Sequence, residues 1–63
     1  MSLQAPVSMA NSIGRPLGLE CHYEYDRIKG KFLYRFYRHR RYIGSVSDPT
    51  RVVARMERYA NSK

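Results

Sequence analysis

Basic and aromatic residues are interleaved in the middle of this sequence, and these are the side chains best suited to binding a polyanion. Seven basic residues and no acidic residue lie between Arg27 and Ser47. An arginine guanidinium donates two parallel hydrogen bonds to a phosphate or to a guanine edge. A tyrosine ring stacks on an unpaired base, and its hydroxyl bonds a phosphate. The predicted binding set is Lys31, Arg35, Tyr37, Arg40 and Tyr42, with Arg27, Arg38 and Arg41 near its rim.

The sequence offers little for catalysis or for metal binding. It contains no carboxylate pair at a plausible spacing, no glycine-rich phosphate loop and no H-E-x-x-H motif. Cys21 and His22 are neighbours, but adjacent strand residues point to opposite faces, so they would not meet as nucleophile and base. Because Cys21 is the only cysteine and there are two histidines, a zinc site would have to recruit carboxylates. We therefore expect no enzymatic activity, no metal and no cofactor.

Three strands joined by short turns are predicted to position the binding set. Residues 19 to 28 alternate between apolar and polar side chains, which predicts a strand, and residues 29 and 30 supply a two-residue turn. Residues 31 to 38 are strong strand formers. A second turn at residues 39 and 40 leads into a third strand over residues 41 to 46.

Alternation divides these strands into a core face and an outer face. The core face is predicted to hold Leu19, Cys21, Tyr23, Tyr25, Phe32, Tyr34, Phe36 and Ile43. The outer face carries the binding set together with Glu20, His22, Glu24 and Asp26. In the predicted register Tyr23 pairs with Phe36, and Phe36 pairs with Ile43. A slip of one residue would move every core side chain to the outer face.

A helix is predicted from Asp48 to Ala60. Ser47 or Asp48 suits the N-cap, and Pro49 suits the first turn. Val53, Met56 and Ala60 recur at helical spacing and should cover the core face. The opposite side of the helix carries Arg51, Arg55 and Arg58, either as a solvated surface or as a second phosphate contact.

Residues 1 to 18 are predicted to form an irregular tail, because prolines, glycines and serines interrupt any period there. We expect that a larger assembly could be a partner that orders this tail. The predicted fold is therefore α+β: a three-stranded antiparallel meander packed on one C-terminal helix over residues 19 to 63, preceded by the tail.

Charge is the most informative property of the composition. The 63 residues include 12 Lys and Arg against five Asp and Glu, for a formal net charge of +7. Such a field attracts polyanions. No apolar run approaches the length of a membrane span, and the first 20 residues lack the pattern of a secretory signal. We expect nucleic acid as the partner, no membrane, and a cytoplasmic or nucleoid-associated location.

The segment from Gly30 to Ala60 resembles the DNA-binding domain of plant ethylene-response factors. It is also similar to the arm-site-binding N-terminal domains of tyrosine-recombinase integrases. The motifs are Gly-Lys-aromatic at residues 30 to 32 and Arg-Tyr-Ile-Gly-Ser at residues 41 to 45, followed by an alanine-containing helix. Both families back a three-stranded sheet with one helix and lay the sheet in the DNA major groove.

The resemblance implies that Lys31, Leu33, Arg35 and Tyr37 face the groove, with Arg40 and Tyr42 beside them. The plant domain has an acidic residue and a tryptophan on its reading face where this sequence has Arg35 and Tyr42. Three functions stay open. The first is DNA binding, the second is RNA binding in a ribonucleoprotein such as a small ribosomal protein, and the third is a phage-type protein-interaction modulator.

Overall fold

Two helices lie against one face of a three-stranded antiparallel sheet in the computed structural model, which describes residues 5 to 62. The elements in chain order are α1 (Ala5–Gly14), β1 (Leu19–Asp26), β2 (Lys31–Arg38), β3 (Arg41–Val46) and α2 (Val52–Asn61). Short 3-10 turns at Arg15–Leu17 and Pro49–Arg51 precede β1 and α2. The strand order is β1-β2-β3. The α+β class, the meander and the C-terminal helix that packs on it are confirmed.

The prediction of an irregular segment over residues 1 to 18 is wrong for residues 5 to 17. Pro6 occupies the first turn of α1, where a missing N–H breaks no helical hydrogen bond. Gly14 ends α1 where the chain approaches α2, and a Cβ there would lie 2.6 Å from the Met56 sulfur. The prolines and glycines that indicated an irregular segment are thus compatible with a packed helix. Residues 1 to 4 of the predicted tail lie outside the described residues.

The first hairpin has a four-residue loop over residues 27 to 30, not the predicted two-residue turn. Asp26 pairs with Lys31, and Tyr23 pairs with Tyr34 instead of Phe36. The Asp26 carboxylate accepts a hydrogen bond from the Lys29 amide at 2.8 Å, which holds the longer loop. The register differs from the predicted one by two positions along β2, so every side chain keeps its predicted face.

The second hairpin has the predicted two-residue turn, and β3 contains a bulge. His39 and Arg40 form the turn with φ of 48° and 69°, and the His39 amide donates to the Gly18 carbonyl at 2.8 Å. Tyr37 pairs with Tyr42 as predicted, but Phe36 pairs with Gly44 because the register shifts there. The predicted pairing of Phe36 with Ile43 is therefore wrong, and Ile43 is the additional residue of the bulge.

The core lies between the core face and the two helices. Its buried residues are Val7 and Ala10 from α1, Val52 and Met56 from α2, and Leu19, Cys21, Tyr34, Phe36 and Val46 from the sheet. Tyr25 and Phe32 were predicted to be core residues, but they are 52% and 51% exposed. A ten-residue helix is about 15 Å long and an eight-residue strand about 26 Å. The helices therefore leave the end of the first hairpin uncovered.

The start of α2 follows its sequence signals. The Asp48 carboxylate accepts a hydrogen bond from the Thr50 amide at 2.9 Å, and Pro49 opens the turn that leads into the helix. Hydrogen bonds from the Thr50 hydroxyl and the Thr50 amide lower the pKa of Asp48. Val52 and Met56 are fully buried, whereas the predicted Val53 is only half-buried, so the buried stripe is rotated by about one residue.

Candidate nucleic-acid interface

Both helices pack on the core face, so within residues 5 to 62 the outer face carries no covering helix. Arg35, near its centre, forms a salt bridge with Asp26, with 3.0 Å between Nη2 and Oδ2. Leu33 lies between Arg35 and Lys31 on this face and is 3% exposed. The aliphatic part of Arg35 must extend along the strand past Leu33 to reach Asp26, which explains the burial of an outer-face leucine.

The salt bridge removes Arg35 from the set of freely available cations. The Lys29 amide and the Arg35 guanidinium both lower the pKa of Asp26, and the Asp26 carboxylate raises the pKa of Arg35. The Nε atom of Arg35 is buried and has no hydrogen-bond partner. Of the residues predicted to contact nucleic acid, Arg35 is therefore engaged by Asp26, and Leu33 is buried.

Tyr37 is also held by its neighbours. Its hydroxyl donates to the Glu24 carboxylate at 2.6 Å, and this bond raises the pKa of Tyr37. The rings of His22 and Tyr42 meet the Tyr37 ring edge-on, with centroids 5.6 Å and 5.9 Å away. The Arg35 guanidinium carbon lies 5.8 Å from the centre of the Tyr42 ring. Tyr37 therefore orients Tyr42 within a connected cluster on the outer face.

Arg38, predicted at the rim of the binding set, has a structural contact. Its guanidinium donates to the backbone carbonyl of Tyr59 at 2.8 Å. Tyr59 is in the last turn of α2, where carbonyl groups lack partners within the helix and the helix dipole attracts a cation. Arg38 thus joins the sheet to the C-terminal end of α2.

Five members of the predicted set remain exposed: Arg27, Lys31, Arg40, Arg41 and Tyr42. Tyr42 is 54% exposed, the largest value among the tyrosines. The structure places Tyr42 beside Tyr37, whereas Arg27 lies in the loop at the far end of the sheet from the Arg40 turn. The exposed members thus flank the outer face and do not form one cluster.

The outer face is not uniformly basic, because β1 brings carboxylates to it. Glu20, Glu24 and Tyr37 line a shallow depression with His22 and Arg40. Arg40 lies beside these carboxylates, whereas Lys31 belongs to β2, and Arg41 and Tyr42 belong to β3. The half of the face formed by β2 and β3 is therefore the part that can approach a polyanion closely.

A second basic surface was only partly indicated by the sequence. Lys29 and Lys31 of the first hairpin and Arg51 and Arg55 near the start of α2 line an open groove of about 410 Å³. The pair of Tyr34 with Val46 is the last one between β2 and β3. The first residues of β2, which precede Tyr34, therefore have no β3 partner and lie beside this groove. Arginines four residues apart on a helix are visible in the sequence, but their proximity to Lys29 is not.

Cys21 and the histidines form no reactive cluster. Burial raises the pKa of the Cys21 thiol to about 11, so the thiol is protonated at neutral pH. In the part of the chain described here, no three His, Cys, Asp or Glu side chains come together as they would around a metal ion. Over the same residues, neither helix has the length and apolar character needed to cross a membrane.

No protein-family model matches this chain, and comparisons with curated proteins and with solved structures give no significant match either.

Proposed function

We propose that this protein binds nucleic acid, and that the β2–β3 half of its outer face is a contact surface. The observation that carries the proposal is the excess of unpaired cations. Over residues 5 to 62, Arg35 is the only lysine or arginine in a salt bridge with a carboxylate. The remaining lysines and arginines supply a positive field that a chain of phosphates would neutralise.

Among the described residues, three of the acidic side chains are already engaged within the fold. Asp26 is paired with Arg35, and Asp48 accepts hydrogen bonds from Thr50. Glu24 accepts a hydrogen bond from Tyr37. Because these three carboxylates already have partners inside the fold, binding a polyanion would not require exposed ion pairs to be broken first.

Duplex DNA is the ligand that we propose first. The β2–β3 ribbon is two strands wide, and the major groove, about 12 Å wide, admits a two-stranded ribbon. Lys31 and Arg40 would contact phosphates or base edges, and Tyr42 would contact the groove between them. Glu20 and Glu24 would repel phosphates, so β1 should lie away from the nearer DNA strand.

The test measures binding of a fluorescein-labelled duplex by anisotropy at several salt concentrations. Each phosphate contact contributes about −0.9 to the slope of log affinity against log salt concentration. Arg40→Gln should therefore make the slope less negative by about 0.9. Arg58→Gln is the matched control, because Arg58 is equally charged and exposed but lies on α2. Competition with structured RNA decides between DNA and RNA.

Two results would contradict the proposal. Affinity that does not change with salt would exclude phosphate neutralisation as the basis of binding. Equal effects of Arg40→Gln and Arg58→Gln would mean that net charge, and not the outer face, determines binding. Circular dichroism of each variant establishes that it is folded before binding is compared.

A further inference from the structure

The core face carries an aromatic surface that the helices leave open. We call Tyr23, Tyr25 and Phe32 the aromatic patch. Tyr25 and Phe32 are paired across β1 and β2 at the hairpin end of the sheet, and about half of each side chain is exposed. Ile28, in the adjoining loop, is 98% exposed. Exposed aromatic groups clustered in this way are uncommon unless they bind something.

The rings of the aromatic patch present both a flat face and an edge. Tyr23 and Phe32 are stacked, with centroids 5.0 Å apart and ring planes 16° apart. Tyr25 meets Phe32 edge-on, at 5.2 Å and 72°. Tyr34, fully buried beneath, lies 4.6 Å from Tyr23. The cluster is therefore anchored in the core and held in place before any ligand arrives.

Two cations lie in the hairpin loop next to this patch. The loop next to Tyr25 contains Arg27 and Lys29, both exposed and neither in a salt bridge. The two carboxylates that flank Tyr25 along the chain lie on the outer face, where Glu24 accepts a hydrogen bond from Tyr37 and Asp26 is paired with Arg35. Two copies of this protein placed patch to patch would bring like charges together, whereas a polyanion would neutralise them.

Single-stranded nucleic acid offers base rings that can stack on the aromatic patch and phosphates that can neutralise the cations beside it. We infer that the aromatic patch binds unpaired bases of single-stranded nucleic acid, with the adjacent phosphates contacting Arg27 and Lys29. Every base has a flat face that stacks on an aromatic ring, so the site would tolerate many sequences. This inference rests on the proposed nucleic-acid binding and adds a second surface, on the opposite side of the sheet, that selects unpaired bases.

Two tyrosines provide a matched comparison. Tyr25 lies on the core face and Tyr42 on the outer face, and they are 52% and 54% exposed. Binding of Tyr25→Ala and Tyr42→Ala is measured by anisotropy with a single strand of about 12 nucleotides and with a duplex. Tyr25→Ala should weaken single-strand binding roughly 5- to 150-fold, the range found when one stacking ring is removed. Its duplex binding should stay within about twofold of the wild type, because the duplex contacts proposed above lie on the other face.

Phe32→Leu adds a variant that keeps an apolar side chain but removes the stacking surface, and it should also weaken single-strand binding. The inference alone fails if the wild type binds duplex while Tyr25→Ala and Phe32→Leu bind the single strand as the wild type does. Dimerisation that sedimentation detects in the wild type, and that Tyr25→Ala abolishes, would identify a second copy as the occupant and overturn it. A wild type that binds neither nucleic acid overturns the proposed function as well.

Discussion

Replacing Asn11 by alanine should destabilise the fold strongly, although the sequence gives no hint of this. Asn11 is 8% exposed and is the only buried polar residue among those described. Its side chain accepts a hydrogen bond from the Cys21 amide at 2.7 Å and donates one to the Cys21 carbonyl at 3.0 Å. Cys21 is on β1, an edge strand, so the Asn11 amide takes the place of a neighbouring strand.

The expected size of the effect follows from these two bonds. Asn11→Ala removes both and leaves a buried N–H and a buried C=O without partners, at about 1 to 3 kcal/mol for each group. Partial access of water lowers the sum, so we expect a loss of about 2 to 4 kcal/mol. A chain of this length has a total stability of about 3 to 9 kcal/mol. The variant should therefore be unfolded to a measurable extent at room temperature.

Urea unfolding followed by far-ultraviolet circular dichroism measures this loss. The control is Ser12→Ala, because Ser12 is exposed and its hydroxyl bonds only the Met9 carbonyl within α1. Asn11→Asp supplies a second test. Its carboxylate can accept from the Cys21 amide but cannot donate until it is protonated, so its deficit relative to wild type should shrink as the pH falls toward about 4. The reasoning is refuted if Asn11→Ala and Ser12→Ala differ by less than about 0.5 kcal/mol.

Two further predictions concern the sheet. The Lys29 amide and the Arg35 guanidinium lower the pKa of Asp26, so these two contacts stabilise the fold above the ordinary aspartate pKa, and their contribution is lost as the pH falls through the lowered value. The difference in melting temperature between wild type and Asp26→Asn should therefore be larger at pH 7 than at pH 2, and a constant difference would contradict this assignment. Gly44→Ala would bring a Cβ against the Tyr59 hydroxyl and should cost about 1 to 3 kcal/mol in urea unfolding. Wild-type stability in this variant would show that the Tyr59 ring is free to move aside and would contradict the prediction.

Sequence reasoning identified the faces of the sheet more reliably than its register. The parity of side chains along Leu19–Asp26 and Lys31–Arg38 follows from local alternation, and a loop two residues longer leaves that parity unchanged. The bulge at Ile43 was not predictable in the same way. Gly44 lies opposite Phe36 because the Tyr59 ring lies close to that position, and Tyr59 comes from α2, far along the chain.

For the candidate site as well, the sequence predicted which face each side chain occupies but not which residue it contacts. Alternation placed Arg35 and Tyr37 on the outer face, but it could not show that Asp26 and Glu24 would engage them. Neither carboxylate lies directly opposite the residue it engages, because Arg35 is paired with His22 and Tyr37 with Glu20 in the sheet. The contacts therefore depend on how far the side chains extend along the sheet. Arg38 similarly reaches a carbonyl 21 residues away.

Local patterning determined the three strands, the C-terminal helix and the excess of positive charge, because each depends on neighbouring residues or on composition alone. Only the tertiary structure decided that the N-terminal segment forms a helix. The burial of Val7 and Ala10 stabilises a short segment that would be only marginally helical by itself. Tertiary structure also decided which cations stay unpaired and left Tyr25 and Phe32 exposed, because the helices are shorter than the strands they cover.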